Sequence, residues 1–139
     1  MYDLERFITA QEQDFDTALR ELRDGRKQSH WIWYIFPQLA ELGYSYRAKY
    51  YGLEDLHEAR AYMGHPVLGP RYLACVDALL QHQGLPTEVL MGGEVDAKKL
   101  RSSLTLMEAA GGGAQVRQAI DTLFFGALCS ATKVLLEVS

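Results

Sequence analysis

Apolar residues recur at helical spacing along most of this chain. Leu4, Phe7, Ile8, Phe15, Leu19 and Leu22 stand three, four or seven positions apart, with Gln11 inside the same stripe. The pattern predicts a helix over residues 3–24, capped by Asp3 and stopped at Gly25. Glu5, Glu12, Asp16, Arg20 and Arg23 form its solvated face, whereas Gln11 requires a buried partner. Further helices are predicted over residues 54–63, from Pro66 to about Gln83, and over 95–110 and 114–125. Their stripes are Leu56, Ala59, Arg60 and Met63; Leu68, Tyr72, Cys75, Val76, Leu79 and Leu80; Leu100, Leu104 and Met107; and Val116, Ile120, Leu123 and Phe124. Ser45 suits the cap of a short segment over 46–51, and Thr87 that of a single turn over 88–91. Ser130 suits the cap of a last helix, with Val134 and Leu135 expected to face inward.

One stretch breaks the pattern. Ser29, His30, Trp31, Ile32, Trp33, Tyr34, Ile35, Phe36, Pro37 and Gln38 include both tryptophans of the chain. Propensity favours a strand here. No second strand-like run exists to pair with it, and a lone strand is not stable. The stretch therefore reads as a two-turn helix from near Ser29, ended by Pro37. His30, Trp33 and Tyr34 then share one side, and Trp31 and Ile35 another. Two positions on a helix differ by about 200°, so one indole should pack inward and the other face a groove.

These elements amount to an all-α fold, a single compact bundle-like domain spanning residues 1–139 with about six or seven helices. A net charge of −4 argues against binding a nucleic acid polymer by phosphate neutralisation. The first residues carry no basic or apolar leader pattern, and no apolar run approaches the roughly 20 residues of a membrane span. Cys75 and Cys129 are lone and suit buried thiols in a reducing cytoplasm. A cytoplasmic monomer or homodimer is expected.

Several motifs together resemble a known family. They begin with Ser29-His30-Trp31, Trp33 and Phe36-Pro37-Gln38, then Leu42-Gly43, Ser45 and Tyr51-Gly52. Glu58-Ala59, Tyr62, His65-Pro66, Leu68-Gly69 and Arg71 continue the likeness. Asp96, Lys99, Ser102-Ser103, Thr105-Leu106 and Phe124-Phe125-Gly126 complete it. The chain resembles the uncharacterised bacterial domain often mislabelled calpastatin, family 1810 of the domains of unknown function. The resemblance spans essentially the whole chain and implies a compact all-α fold, without an assigned activity. The tail departs from the family pattern: Gly126-Ala127 and Ser130-Ala131-Thr132 stand where the family usually has Gly-Gly and Asp-x-x-Thr.

Candidate chemistry is sparse. His30 and His65 lie in the dense motifs, but no His-x-x-x-His or Glu-x-x-His spacing supports a metal. Lys99 and Ser103 are neighbours at i, i+4, yet no nucleophile turn or oxyanion donor accompanies them. Asp96 and Lys99 suit a surface ion pair at a helix start. The glycines at 111–113 lack the context of a phosphate loop, and no cofactor motif is visible. What remains is a set of aromatic and basic groups: His30, Trp33, Tyr34, Gln38, Arg47, Tyr51, Arg71, Lys99 and Ser102. Such groups on one cleft suit a small anionic ligand, such as a nucleotide or sugar phosphate. The alternatives are a closed polar network in which these groups satisfy one another, and a non-enzymatic interaction module that docks a partner through the tryptophan-rich stretch.

Overall fold

The computed structural model describes residues 2–82 and 84–138. Its helices are α1 (Glu5–Arg23), α2 (Ile32–Ile35), α3 (Tyr46–Tyr50), α4 (Leu56–Gly64), α5 (Leu68–Leu80), α6 (Thr87–Leu90), α7 (Glu94–Ala109), α8 (Ala114–Phe124) and α9 (Ser130–Val138). A 3-10 turn, Ala40–Leu42, lies between α2 and α3. Six of these elements have nine or more residues; α2, α3 and α6 are single turns that the expected count of about six or seven helices leaves out. No strand forms among the described residues beyond one bridge, in which Ala40 N donates to Leu53 O and Leu53 N to Gln38 O, each at 2.8 Å. No helix among them is long and apolar enough to cross a membrane.

The apolar stripes meet in one core. α1 contributes Phe7, Ala18 and Leu22, and α5 contributes Leu68, Tyr72, Cys75, Val76 and Leu79. α7 adds Leu100, Leu104, Leu106 and Met107, and α8 adds Val116, Ala119 and Ile120. α5 packs against α1, α4 and α8, while α7 packs against α4, α6, α8 and α9. The buried Gln11 finds its partners: Nε2 donates to Tyr34 O at 2.8 Å and to the Tyr62 hydroxyl at 3.0 Å.

Local details depart from the expected boundaries. Leu4, not Asp3, precedes the first helical residue, and no side chain caps that end. Ser45 does cap α3, accepting from Ala48 N at 3.1 Å, and Asp55 caps α4 through Glu58 N at 2.8 Å. Thr87 does not cap a turn; it is the first residue of α6, and its hydroxyl donates to Leu123 O at 2.7 Å. α5 stops at Leu80, and Gln83, its expected end, lies outside the described residues. Val134 is 57% exposed rather than inward, because Thr132 takes the buried position on that helix.

The aromatic stretch forms one helical turn, not two. Its start is claimed by a side chain of α1. Glu21, only 4% exposed, accepts from Gln28 N at 2.8 Å, Ser29 N at 2.9 Å, the Ser29 hydroxyl at 2.5 Å and the Trp31 indole at 2.9 Å. Backbone donors committed to a carboxylate keep this segment outside the helical turn. The turn orients the two indoles as the spacing predicts: Trp31 is 1% exposed and Trp33 half-buried. A strap on the other side completes the enclosure. Lys27 Nζ donates to Ser29 O at 2.6 Å, pairs with Asp96 of α7 at 2.7 Å and lies 4.9 Å from the Trp31 ring centroid.

Burial pushes the Glu21 carboxyl up, but the donors from Ser29, Gln28 and Trp31 outweigh it and hold its pKa at about 2, against the usual 4.5. The folded-state value is depressed, so this stabilisation is present above pH 4.5 and is lost as pH falls towards 2. The shift corresponds to about 3 kcal/mol. In acid titrations followed by circular dichroism, Glu21→Gln is expected to lower stability at neutral pH by roughly 2–4 kcal/mol and to flatten the loss below pH 5. An unchanged acid profile would remove Glu21 from this role. Trp31→Ala is expected to cost about 3–5 kcal/mol in chemical denaturation, and Trp33→Ala less than about 1 kcal/mol. Equal costs would contradict the inward and outward assignment.

Candidate functional site

Three elements converge on the outward indole. Trp33 lies on α2, Arg47 on α3 and Lys99 on α7. Arg47 Cζ is 5.2 Å and Lys99 Nζ 5.0 Å from the Trp33 ring centroid. Both distances suit attraction between a cation and an aromatic face. The Trp33 Nε1 donor is buried and has no hydrogen-bond partner among the described residues. Arg47 is exposed and makes no ion pair among them. Lys99 is held by Asp96 at 3.6 Å, the carboxylate that also binds Lys27. Asp96 is therefore half-buried and shared between two lysines, not half of a simple surface pair.

Two phenols extend the cluster. The rings of Tyr34 and Tyr51 meet edge to face with centroids 5.0 Å apart. The Tyr34 hydroxyl donates to the Asp14 carboxylate, and a longer contact of 3.5 Å reaches His30 O. Burial pushes the Tyr34 hydroxyl well above the usual phenol range, Asp14 pushes it further, and Arg47 opposes both. Burial and Tyr50 likewise raise Tyr51, again with Arg47 opposing. Arg47 thus acts electrostatically on both phenols while lying over the indole. The tract continues outward: Tyr51 meets Tyr50 at 4.8 Å, and Tyr50 stacks on the exposed Tyr46 at 5.9 Å. Tyr50 and Tyr51 also line a cleft of about 440 Å3 with Arg6, Thr9 and Gln13.

The close packing of α3 against the preceding turn sets the position of Arg47. A Cβ on Gly52 would clash with Ala40 Cα and stand 2.6 Å from Ala40 Cβ and 2.7 Å from Ala48 O. Only glycine fits where the chain leaves α3 and joins the Leu39–Leu53 bridge.

The nine expected site residues divide. Trp33, Tyr34, Arg47, Tyr51 and Lys99 come together, on an open surface more than in a deep cleft. Gln38 is tied into the Leu39–Leu53 bridge, its carbonyl accepting from Leu53 N at 2.8 Å. His30 is exposed, and its carbonyl is what contacts Tyr34. Arg71 is 5.2 Å from the Phe15 ring centroid and makes a weak 3.5 Å contact to Oε1 of Gln11, the residue whose Nε2 donates to Tyr34 O. Ser102 faces the core and shares a 2.9 Å hydrogen bond with Thr132 of α9. Ser103 pairs with the Tyr72 hydroxyl at 2.9 Å, so no nucleophile is poised beside Lys99. His65 is used structurally: its Nδ1 accepts from Val67 N at 3.1 Å and Leu68 N at 3.3 Å, at the start of α5. Among the described residues no group of three or more His, Cys, Asp or Glu is placed to hold a metal ion. Asp14 was not foreseen as a neighbour of the site; from sequence it is one more acidic residue on α1.

The arrangement supplies two cations and an unpaired N–H around one aromatic plane. The chain is 39% identical to a conserved hypothetical protein, Rv1873, from Mycobacterium tuberculosis, whose crystal structure superposes with a TM-score of 0.95 over 99% of both chains. No curated protein is significantly similar to the chain. Residues 1–136 match the family model described as "Protein of unknown function (DUF1810)", and the chain belongs to that family.

Proposed function

We propose that the protein binds a small anionic ligand of the nucleotide or sugar-phosphate class at Trp33, Arg47 and Lys99. The observation that carries this reading is the Trp33 Nε1 donor, buried without a partner beneath two cations. A buried donor left unpaired costs roughly 1–3 kcal/mol, and an acceptor oxygen of a bound anion removes that cost. The guanidinium of Arg47 offers a planar fork to a phosphate, and Lys99 adds a point charge. Tyr46, Tyr50 and Tyr51 supply ring faces and edges beside the cations for a flat group of the same ligand.

A second reading, docking of a partner protein, is favoured by the exposure of Tyr44, Tyr46 and Tyr50. It does not use the tryptophan-rich stretch as such, because Trp31, Ile32, Ile35 and Phe36 are core residues.

Trp33 is a natural reporter for the test. Titration with inorganic phosphate, ribose 5-phosphate and adenosine monophosphate is expected to change tryptophan fluorescence saturably and to raise the melting temperature. Arg47→Ala is expected to weaken binding at least about tenfold, with stability changed by no more than about 0.5 kcal/mol. Binding that survives Arg47→Ala, or no response to any of the three anions, would sink the ligand reading. Partner docking would instead appear as losses confined to Tyr44→Ala and Tyr46→Ala in a pull-down.

A further inference from the structure

We infer that the cleft between α6 and the C-terminal end of α8 is a second binding site, selective for a monocarboxylate with an aromatic or branched apolar body. The cleft measures about 440 Å3, and its walls include Leu85, Pro86, Arg101, Phe124 and Phe125. The hydrogen bond from the Thr87 hydroxyl to Leu123 O ties its two sides together at 2.7 Å. It is therefore built before any ligand arrives.

Two features of the cleft have no use within the fold. The first is Arg101. Its guanidinium lies 5.2 Å from the Phe124 ring centroid, and its Nε is buried without a hydrogen-bond partner among the described residues. No carboxylate of those residues comes within ion-pair distance of it. A half-buried guanidinium with an idle Nε costs stability unless something pairs with it. The second is Phe125. It is 94% exposed and adopts φ 55, in the left-handed region. A bulky side chain there is strained by roughly 1–2 kcal/mol, whereas the next residue, Gly126, takes φ 80 freely. The left-handed turn itself closes α8, where Gly126 N donates to Ile120 O at 3.1 Å, a task a glycine would serve without strain. The exposed ring is what the fold does not use, and at the mouth of a cleft it points to a contact made with something outside the chain.

The ligand class follows from the walls. The two terminal nitrogens of Arg101 form the planar pair of donors that a carboxylate accepts side by side, and their engagement is felt at the buried Nε of the same guanidinium. Phe124, Phe125 and Leu85 provide apolar surface for the rest of the molecule. Glu88 lines the same cleft, so a second negative charge is disfavoured. That separates this cleft from the Trp33 surface, where cations dominate. Either a free small acid or the terminal residue of a polypeptide carries the required group.

The Arg101 Nε–H signal in nuclear magnetic resonance spectra of isotope-labelled protein tests the site directly. Phenylacetate is expected to shift it saturably, and the neutral isostere phenylacetamide not to. Inorganic phosphate should bind at least about tenfold more weakly than phenylacetate. N-acetylphenylalanine binding more tightly than phenylacetate identifies a chain terminus as the source, and the reverse order a free acid. Phe125→Gly is expected to raise the melting temperature while weakening phenylacetate binding, a combination that a purely structural role cannot produce. Arg101→Lys, which keeps the charge and loses the fork, should weaken binding about tenfold or more. Equal responses to acid and amide, no saturation, or phenylacetate binding unchanged by Phe125→Gly would each overturn the inference; none of these depends on the Arg101 variant folding.

Discussion

The carboxylate of Glu21 is the constraint on which the rest of this structure depends. It is a buried charge, which is costly, and it is neutralised by hydrogen bonds rather than by a cation. All four donors come from residues 28–31, just before the aromatic turn. They fix where that turn begins and send Trp31 into the core. Trp33, two residues on, is thereby forced outward. The side chain that stabilises the interior thus also sets the exposed indole. Lys27 closes the arrangement through Asp96 of α7, so the Trp33 surface and the core share one polar frame.

The remaining polar groups divide by whether the fold satisfies them. Gln11 is used up by Tyr34 O and Tyr62, Ser103 by Tyr72, Ser102 by Thr132, and the Thr105 hydroxyl bridges Arg101 O and Cys129 N. Of the candidate site residues, Ser102 is the one satisfied in this way, by Thr132 and not by another candidate. At Trp33, Arg47 and Lys99 donors outnumber acceptors. The boundary between the two groups runs along α7, between the half-buried Lys99 and the buried Ser102.

The long helices were legible because each buries a stripe of period 3.6, and the cap at Ser45 because capping is a local matter. Gln11 was legible as a residue needing a partner, since it stands on the apolar stripe. Glu21 stands beside that stripe, three residues after Ala18, but a glutamate on a helix is normally solvated and its donors belong to the following loop. The serines of α7 announce a need for partners, yet Thr132 and Tyr72 are 30 and 31 residues away, and nothing local tells an internal partner from a ligand. Arg47 and Arg71 look alike in sequence, each following a chain break. Which one reaches the indole is decided by the close approach at Gly52, which only three-dimensional packing reveals.

The two buried side-chain donors without partners among the described residues are Trp33 Nε1 and Arg101 Nε. Both are tied to α7. Lys99 covers the first and Arg101 carries the second, and residues two apart on a helix point about 200° from one another. The helix that buries most of its length thus presents one cation to each side of the bundle. A core helix satisfies its interior polar groups because none can reach water. A long basic side chain at its edge is different, because its stem packs while its head remains free to meet a ligand. Lys99 and Arg101 fall at that edge, one turn before α7 is enclosed by Leu104, Leu106 and Met107. The register of α7 therefore places one cation at each of two separate surfaces and keeps Ser102 and Ser103 satisfied within the core.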